Sequence, residues 1–203
     1  LLLTNTSTLD VDAIAAATSR PERVMGMHFF SPADLMRLVE CVRGAATSPA
    51  TIAAVMGACR RLGKIPVLVG NCDGFVGNRM IASYSAEACF LLEEGARVGD
   101  VDAVVLDMGF KMGPFQMGDL AGNDVGYRIR EQRGDLDPAT RPRGLRYCDL
   151  ADKLVAQEKR LGLKTGAGWY AYDKGSRVPR PSPEVEALVA GDRAARGVEP
   201  RGG

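Results

Sequence analysis

The sequence predicts an α/β segment over residues 1–69 followed by an all-α segment over residues 70–203. Two patterns carry this reading. Up to residue 69, short apolar β-type runs alternate with amphipathic stretches, and from about residue 71 strand-like runs nearly vanish while three-to-four spacing takes over. A length of 203 residues with 46% apolar and 25% charged side chains suits one large globular domain or two small ones.

Residues 1–6 read as a buried strand ending at Ser7-Thr8, and Asp10 is a good cap for a short alanine-rich helix over 11–17. Thr18-Ser19-Arg20-Pro21 breaks that helix. Residues 24–29 form the next strand, Ser31-Pro32-Ala33-Asp34 a loop, and residues 36–42 a further strand. Ser48-Pro49 opens a helix, with serine as cap and proline at the first helical position. Its buried face is Ile52, Val55, Met56, Cys59 and Leu62, and Gly63 closes it. Residues 64–70 suit a buried strand and complete a β-α-β unit.

In the second segment, residues 74–96 form a long helix with Asp73 as its cap and Phe75, Met80, Ile81, Tyr84, Ala88, Leu91 and Leu92 as its apolar face. Shorter helices follow over 101–108 and 114–121. Residues 133–146 lack apolar spacing and read as an exposed loop. Residues 149–161 are helical again, and the aromatics of Trp169-Tyr170-Ala171-Tyr172 pack a surface or rim a cleft. A basic, proline-rich linker over 177–183 leads to a last helix over 184–196, and the end frays at Gly202-Gly203.

Composition excludes several classes. A net charge of +1 argues against nucleic acid or a membrane surface as partner, because both need a dominant basic face. No apolar run is long enough to span a membrane. Five cysteines without a C-x-x-C pair, and one histidine, leave no metal-ligand spacing, so the thiols read as reduced. The chain starts inside a strand-like run without methionine, which suggests a fragment.

His28 is the only histidine and sits between two β-type runs, so a proton transfer near neutral pH would pass through it. Glu40 is a carboxylate within the apolar run Leu38-Val39-Glu40-Cys41-Val42 and could meet the imidazole if the two strands are neighbours. The bland alternative is a packed core histidine and a solvent-facing glutamate. Likewise Ser7 could cap a turn, Asn78 could bind a backbone carbonyl, and Lys164 could be a solvated lysine. No G-x-G-x-x-G occurs, so a dinucleotide's phosphate-binding turn would lie outside these residues.

Six motifs in register carry a resemblance. Asn5-Thr6-Ser7, His28-Phe29-Phe30-Ser31-Pro32, Arg37-Leu38-Val39-Glu40, Gly74-Phe75-Val76-Gly77-Asn78-Arg79, Lys111-Met112-Gly113-Pro114-Phe115 and Lys164-Thr165-Gly166-Ala167-Gly168-Trp169-Tyr170 are together similar to the L-3-hydroxyacyl-CoA dehydrogenase family. Arg146-Tyr147-Cys148 and the ending Val198-Glu199-Pro200-Arg201 resemble its multifunctional branch, the peroxisomal bifunctional and bacterial fatty-acid-oxidation proteins. The resemblance implies that residues 1–69 are the C-terminal part of a Rossmann-type NAD domain. Residues 70–203 would be a helical domain like the C-terminal domain of 6-phosphogluconate dehydrogenase.

It further implies an NAD-dependent (S)-3-hydroxyacyl-CoA dehydrogenase of fatty-acid β-oxidation. His28 would be the general base and Glu40 the group that orients it. Ser7 and Asn78 would bind the acyl-CoA substrate, and Asn5 and Lys164 would line the nicotinamide side of the cleft. An enoyl-CoA hydratase domain in the parent chain, self-association, and a bacterial cytoplasmic or peroxisomal setting are compatible with that branch. The rival reading is a non-catalytic interaction or scaffold fragment, motivated by the missing glycine-rich turn.

Overall fold

The computed structural model describes residues 1–199; the glycine end at Gly202-Gly203 and the last two residues of Val198-Glu199-Pro200-Arg201 lie outside them. The chain divides into two compact units, Leu1–Ala82 and Ser83–Gly203. No helix among the described residues is long and apolar enough to cross a membrane.

The first unit is a four-stranded sheet in the order β1-β2-β3-β4, with β1 Leu2–Thr4, β2 Val24–Phe29, β3 Leu38–Arg43 and β4 Ile65–Gly70. β1 is parallel to β2 through the crossover helix α1, Val11–Ala16, and β3 is parallel to β4 through α2, Pro49–Arg61. The central pair β2 and β3 is antiparallel, and its register sets His28 opposite Glu40. Sequence cues start both helices as expected: the Asp10 carboxylate accepts from the amides of Asp12 and Ala13, and Ser48 accepts from Thr51 ahead of Pro49.

Alternation then sorts the side chains into two layers. Met25, Met27, Val39 and Cys41 pack under Val55 and Cys59 of α2, while Val42 and Val69 on the opposite face pack with Val11 of α1 and with Phe75. Cys41 and Cys59 approach to 3.7 Å between sulfurs, and all five cysteines are free thiols. Burial comes first in pushing the Cys41 thiol up to about 12, so it packs as a small apolar group. β1 lies first in the strand order, and Leu1, Leu2 and Leu3 are exposed among the described residues.

The second unit holds most of α3, Gly77–Glu93, then α4 Val98–Asp107, α5 Pro114–Ala121, α6 Asn123–Arg133, α7 Leu150–Ala156 and α8 Pro183–Arg196. Three expectations are corrected here. α6 falls where no helix was assigned, because its apolar periodicity is weak and it has no buried residue. α7 is shorter than residues 149–161, since the chain turns at Lys159 with φ 54°. On α3 the buried residues are Ala88, Cys89, Phe90, Leu92 and Glu93, whereas Met80, Ile81 and Leu91 are exposed.

Trp169, Tyr170 and Tyr172 pack no surface; they are buried with Phe115, Leu92, Leu150 and Leu154 in the core of this unit. What draws them in is Asp119. Its two carboxylate oxygens accept from the amides of Trp169 (2.8 Å) and Tyr170 (3.0 Å), from Asn123 (2.8 Å) and from the Tyr172 hydroxyl (3.0 Å). Gly168 permits this approach, because a β-carbon there would stand 1.9 Å from Asp119 Oδ1. Asp102 plays a parallel part, accepting from the amides of Phe115 and Gln116 at the start of α5 and from the Tyr170 hydroxyl.

α8 is fastened by charge. Asp192 accepts from Lys153 of α7 and from Arg196, each at 2.7 Å, and Arg193 donates to the carbonyls of Leu92 and Ala96 at the end of α3. Burial pushes the Asp192 carboxyl up, but the Lys153 and Arg196 hydrogen bonds outweigh it and hold the group below its ordinary value. Its stabilising contribution is therefore present above the ordinary carboxylate range and lost as pH falls through the lowered value. Asp192→Asn is expected to cost about 1–2 kcal/mol in urea denaturation at neutral pH. The difference from the parent should close on acidification.

Candidate active site

β2 and β3 deliver the central pair. His28 Nδ1 lies 2.8 Å from Glu40 Oε2, with the two residues 7% and 3% exposed. A carboxylate can only accept, so Nδ1 carries the proton and the Nε2 lone pair is left for chemistry. The rings of Phe30 and Phe75 flank the imidazole at centroid distances of 4.9 and 5.8 Å. These neighbours restrict water around the pair.

Glu40 uses its second oxygen differently. Oε1 accepts from the backbone amides of Val76 (3.0 Å) and Gly77 (2.8 Å) at the start of α3. The first amides of a helix have no intrahelical partner and carry the positive end of its dipole, so they suit a buried carboxylate. Gly74 (φ 70°) and Phe75 (φ 46°) turn the chain so that these amides reach Glu40, which is why the helix starts at Gly77 and not at Gly74. Gly77 leaves room for Phe30, whose Cζ would lie 2.7 Å from any β-carbon there.

The polar candidates of the first unit gather around the same strand ends. Asn5 Oδ1 accepts from the amide of Phe29 at 2.9 Å, which carries the β1–β2 ladder one step past Thr4 and steadies the residue after His28. Asn78 Nδ2 donates to the backbone carbonyl of Ser7 at 3.4 Å, joining the loop after β1 to the first turn of α3. Thr6 Oγ1 shapes that loop by accepting from the amides of Thr8 and Leu9. Lys164 belongs to the second unit, where its ammonium pairs with Asp124 and holds that carboxyl below its ordinary value.

Reading by residue type overlooked the two helix amides, which have no side-chain signature, and Asn71. Asn71 donates to Asp10 (2.6 Å) and Asp12 (2.8 Å) and accepts from the amide of Val11, anchoring the connection between β4 and α3. A signal existed in the glycine pattern of Gly74-Phe75-Val76-Gly77. It marks a close backbone approach without naming the partner.

A buried imidazole paired with a carboxylate, at the carboxyl end of β2 beside its parallel neighbour β1 in an α/β sheet, defines a class: a fold of the dinucleotide-binding type with a histidine–carboxylate pair at its strand ends. The chain belongs to the 3-hydroxyacyl-CoA dehydrogenase family. Residues 1–72 match the model of its NAD binding domain and residues 74–172 that of its C-terminal domain. The chain is 50% identical to a peroxisomal bifunctional enzyme of Danio rerio over 99% of its own length and 29% of that enzyme's. It is 38% identical to a fatty acid oxidation complex subunit alpha of Shewanella frigidimarina, covering 99% of this chain and 28% of that one. Among solved structures, an (S)-3-hydroxybutyryl-CoA dehydrogenase from Ralstonia eutropha superposes with a TM-score of 0.74 at 38% identity, over 85% of this chain and 60% of that one. The chain thus spans less than a third of the length of the curated relatives it matches.

Glu40→Gln tests the geometry without an activity assay. The amide oxygen would stay on the helix amides and its NH₂ would face the ring, so the neutral imidazole should switch its proton from Nδ1 to Nε2. Nitrogen-15 NMR of the single histidine reads the tautomer directly. Urea denaturation should show a loss of about 1–2 kcal/mol, because a charged acceptor is exchanged for a neutral one.

Proposed function

We propose that the chain is the dehydrogenase segment of a β-oxidation enzyme, converting (S)-3-hydroxyacyl-CoA to 3-oxoacyl-CoA with NAD. The observation that carries the proposal is the 2.8 Å bond between His28 Nδ1 and a Glu40 carboxylate already held by two helix amides. In this reading residues 1–69 are the C-terminal part of the NAD domain and residues 70–203 the helical domain. We take the setting to be peroxisomal or bacterial cytoplasmic and the parent chain to carry a hydratase part, as the resemblance to the multifunctional branch implies.

NAD, when bound, supplies the acceptor for the hydride leaving C3 of the substrate. The residues present fit its nicotinamide end: the loop after β1 is polar, ordered by threonine hydroxyls, and lies at the carboxyl end of a parallel strand. Asn5 and Lys164 are the side chains proposed to face it. His28 Nε2 takes the proton of the 3-hydroxyl as the ketone forms, and Glu40 stabilises the resulting imidazolium. Because Glu40 is pinned on both oxygens, it cannot swing away as the ring becomes charged. Ser7 and Asn78, already joined, are proposed to bind the substrate near its hydroxyl and thioester carbonyl.

The test is turnover. The N-terminal portion of a relative's NAD domain is joined ahead of Leu1, and NADH formation is followed with 3-hydroxybutyryl-CoA. His28→Gln is expected to lower kcat by about 10²–10⁴-fold, the usual contribution of a positioned base, with the circular dichroism spectrum unchanged. Full turnover in that variant would remove His28 from the mechanism.

A further inference from the structure

Glu40 fixes one atom of the imidazole, and one hydrogen bond does not fix a ring. A carboxylate oxygen accepts over a broad range of directions, so the 2.8 Å bond sets where Nδ1 lies more tightly than it sets the plane of the ring. The aim of Nε2 depends on that plane. Something else has to hold it.

Phe30 stands two residues after His28, on the same side of the extended chain, and its ring lies 4.9 Å from the imidazole between centroids, at 51°. Phe75 adds a second ring at 5.8 Å and 58°. The two are held differently. Phe75 is fully buried with Val11, Val42 and Val69, whereas Phe30 follows the end of β2, is only partly buried and leads into the Ser31-Pro32 loop. The ring of Phe30 leans instead on the backbone of Gly77, where a β-carbon would stand 2.7 Å from Cζ and 3.0 Å from Cε1.

Gly77 opens α3 with helical backbone, unlike Gly74 at φ 70°, so no turn demands a glycine there. Glycine is also a poor helix former. At Gly99 and Gly191, likewise helical, a β-carbon would meet nothing within 4 Å. The missing side chain at residue 77 is matched by an aromatic ring, and the amide of the same residue donates to Glu40 Oε1 at 2.8 Å.

We infer that Phe30, seated in the notch that Gly77 leaves, is a positioning residue for the base: Glu40 holds Nδ1, and Phe30 sets the plane of the imidazole and with it the direction in which Nε2 points. Gly77 couples the two constraints, because its amide serves Glu40 while its bare α-carbon admits Phe30. The consequence for turnover rests on the function proposed above, whereas the ring geometry can be read without it.

Gly77→Ala fills the notch and Phe30→Leu removes the ring. In the 203-residue chain with its single histidine labelled, the nuclear Overhauser contacts between the His28 and Phe30 ring protons should be lost in Gly77→Ala. The His28 ring-current shifts should change in both variants, while the neutral ring keeps its proton on Nδ1. In the fusion used for turnover, each variant should lower kcat by up to about 10²-fold, the cost of misplacing a reacting group by about 1 Å, with KM little changed. Leucine leaves the notch empty, so adding Gly77→Ala to Phe30→Leu should cost nothing further.

Ring contacts that survive in Gly77→Ala, or a parent-like kcat in Phe30→Leu, would overturn the positioning role and leave the proposed function standing. A proton that moves to Nε2 in either variant, or effects that add in the double variant, would also overturn it, because Phe30 and Gly77 would then act through Glu40 or separately. If Gly77→Ala does not fold, Phe30→Leu decides by its kcat and its His28 shifts. A parent fusion without turnover would count against the proposed function, and the ring contacts would still decide the geometry.

Discussion

The structure around the candidate site depends on one carboxylate shared between two claimants. Glu40 gives one oxygen to His28 Nδ1 and the other to the amides of Val76 and Gly77. Almost any other arrangement would leave something buried and unpaired: a charge, an imidazole N–H or two helix amides, each costly in an apolar setting. The same group thus decides which imidazole nitrogen is free, where α3 begins and where the connection after β4 must run. Asn71, fastened to Asp10 and Asp12, and Phe75, buried against Val11, Val42 and Val69, hold that connection in place.

The second unit repeats the device with different residues. Asp102 holds the first amides of α5, and Asp119 holds the amides of the Trp169-Tyr170 turn. Burial pushes both carboxyls up, against the hydrogen bonds that pull them down. Each trades desolvation for a set of fixed donors, which lets a short, glycine-containing turn carry three aromatics into the core. Lys111-Met112-Gly113-Pro114-Phe115 and Gly166-Ala167-Gly168-Trp169-Tyr170, prominent as motifs, thereby gain a packing reason separate from catalysis.

Much of the first unit was legible because its local signals agree with its tertiary structure. β2 carries a compact apolar pattern, and Asp10 and Ser48 cap the helices that follow them; of the face expected on α2, Val55 and Cys59 are buried while Leu62 is exposed. Legibility failed where burial departed from composition. α6 is helical with no buried face, and the aromatics of residues 169–172 are interior because a distant aspartate captures their backbone.

The sequence by itself determined the chemistry on offer. One imidazole, one carboxylate in an apolar run and a set of motifs in order were enough to suggest the 3-hydroxyacyl-CoA dehydrogenase family, to which the chain belongs. Only the tertiary structure decided which nitrogen of His28 is free and that helix amides anchor Glu40. Those are consequences of register and of backbone donors. The pairing of residue 28 with 40, and of 40 with 67, is set by which face of each strand is buried, and a backbone amide carries no mark in the sequence.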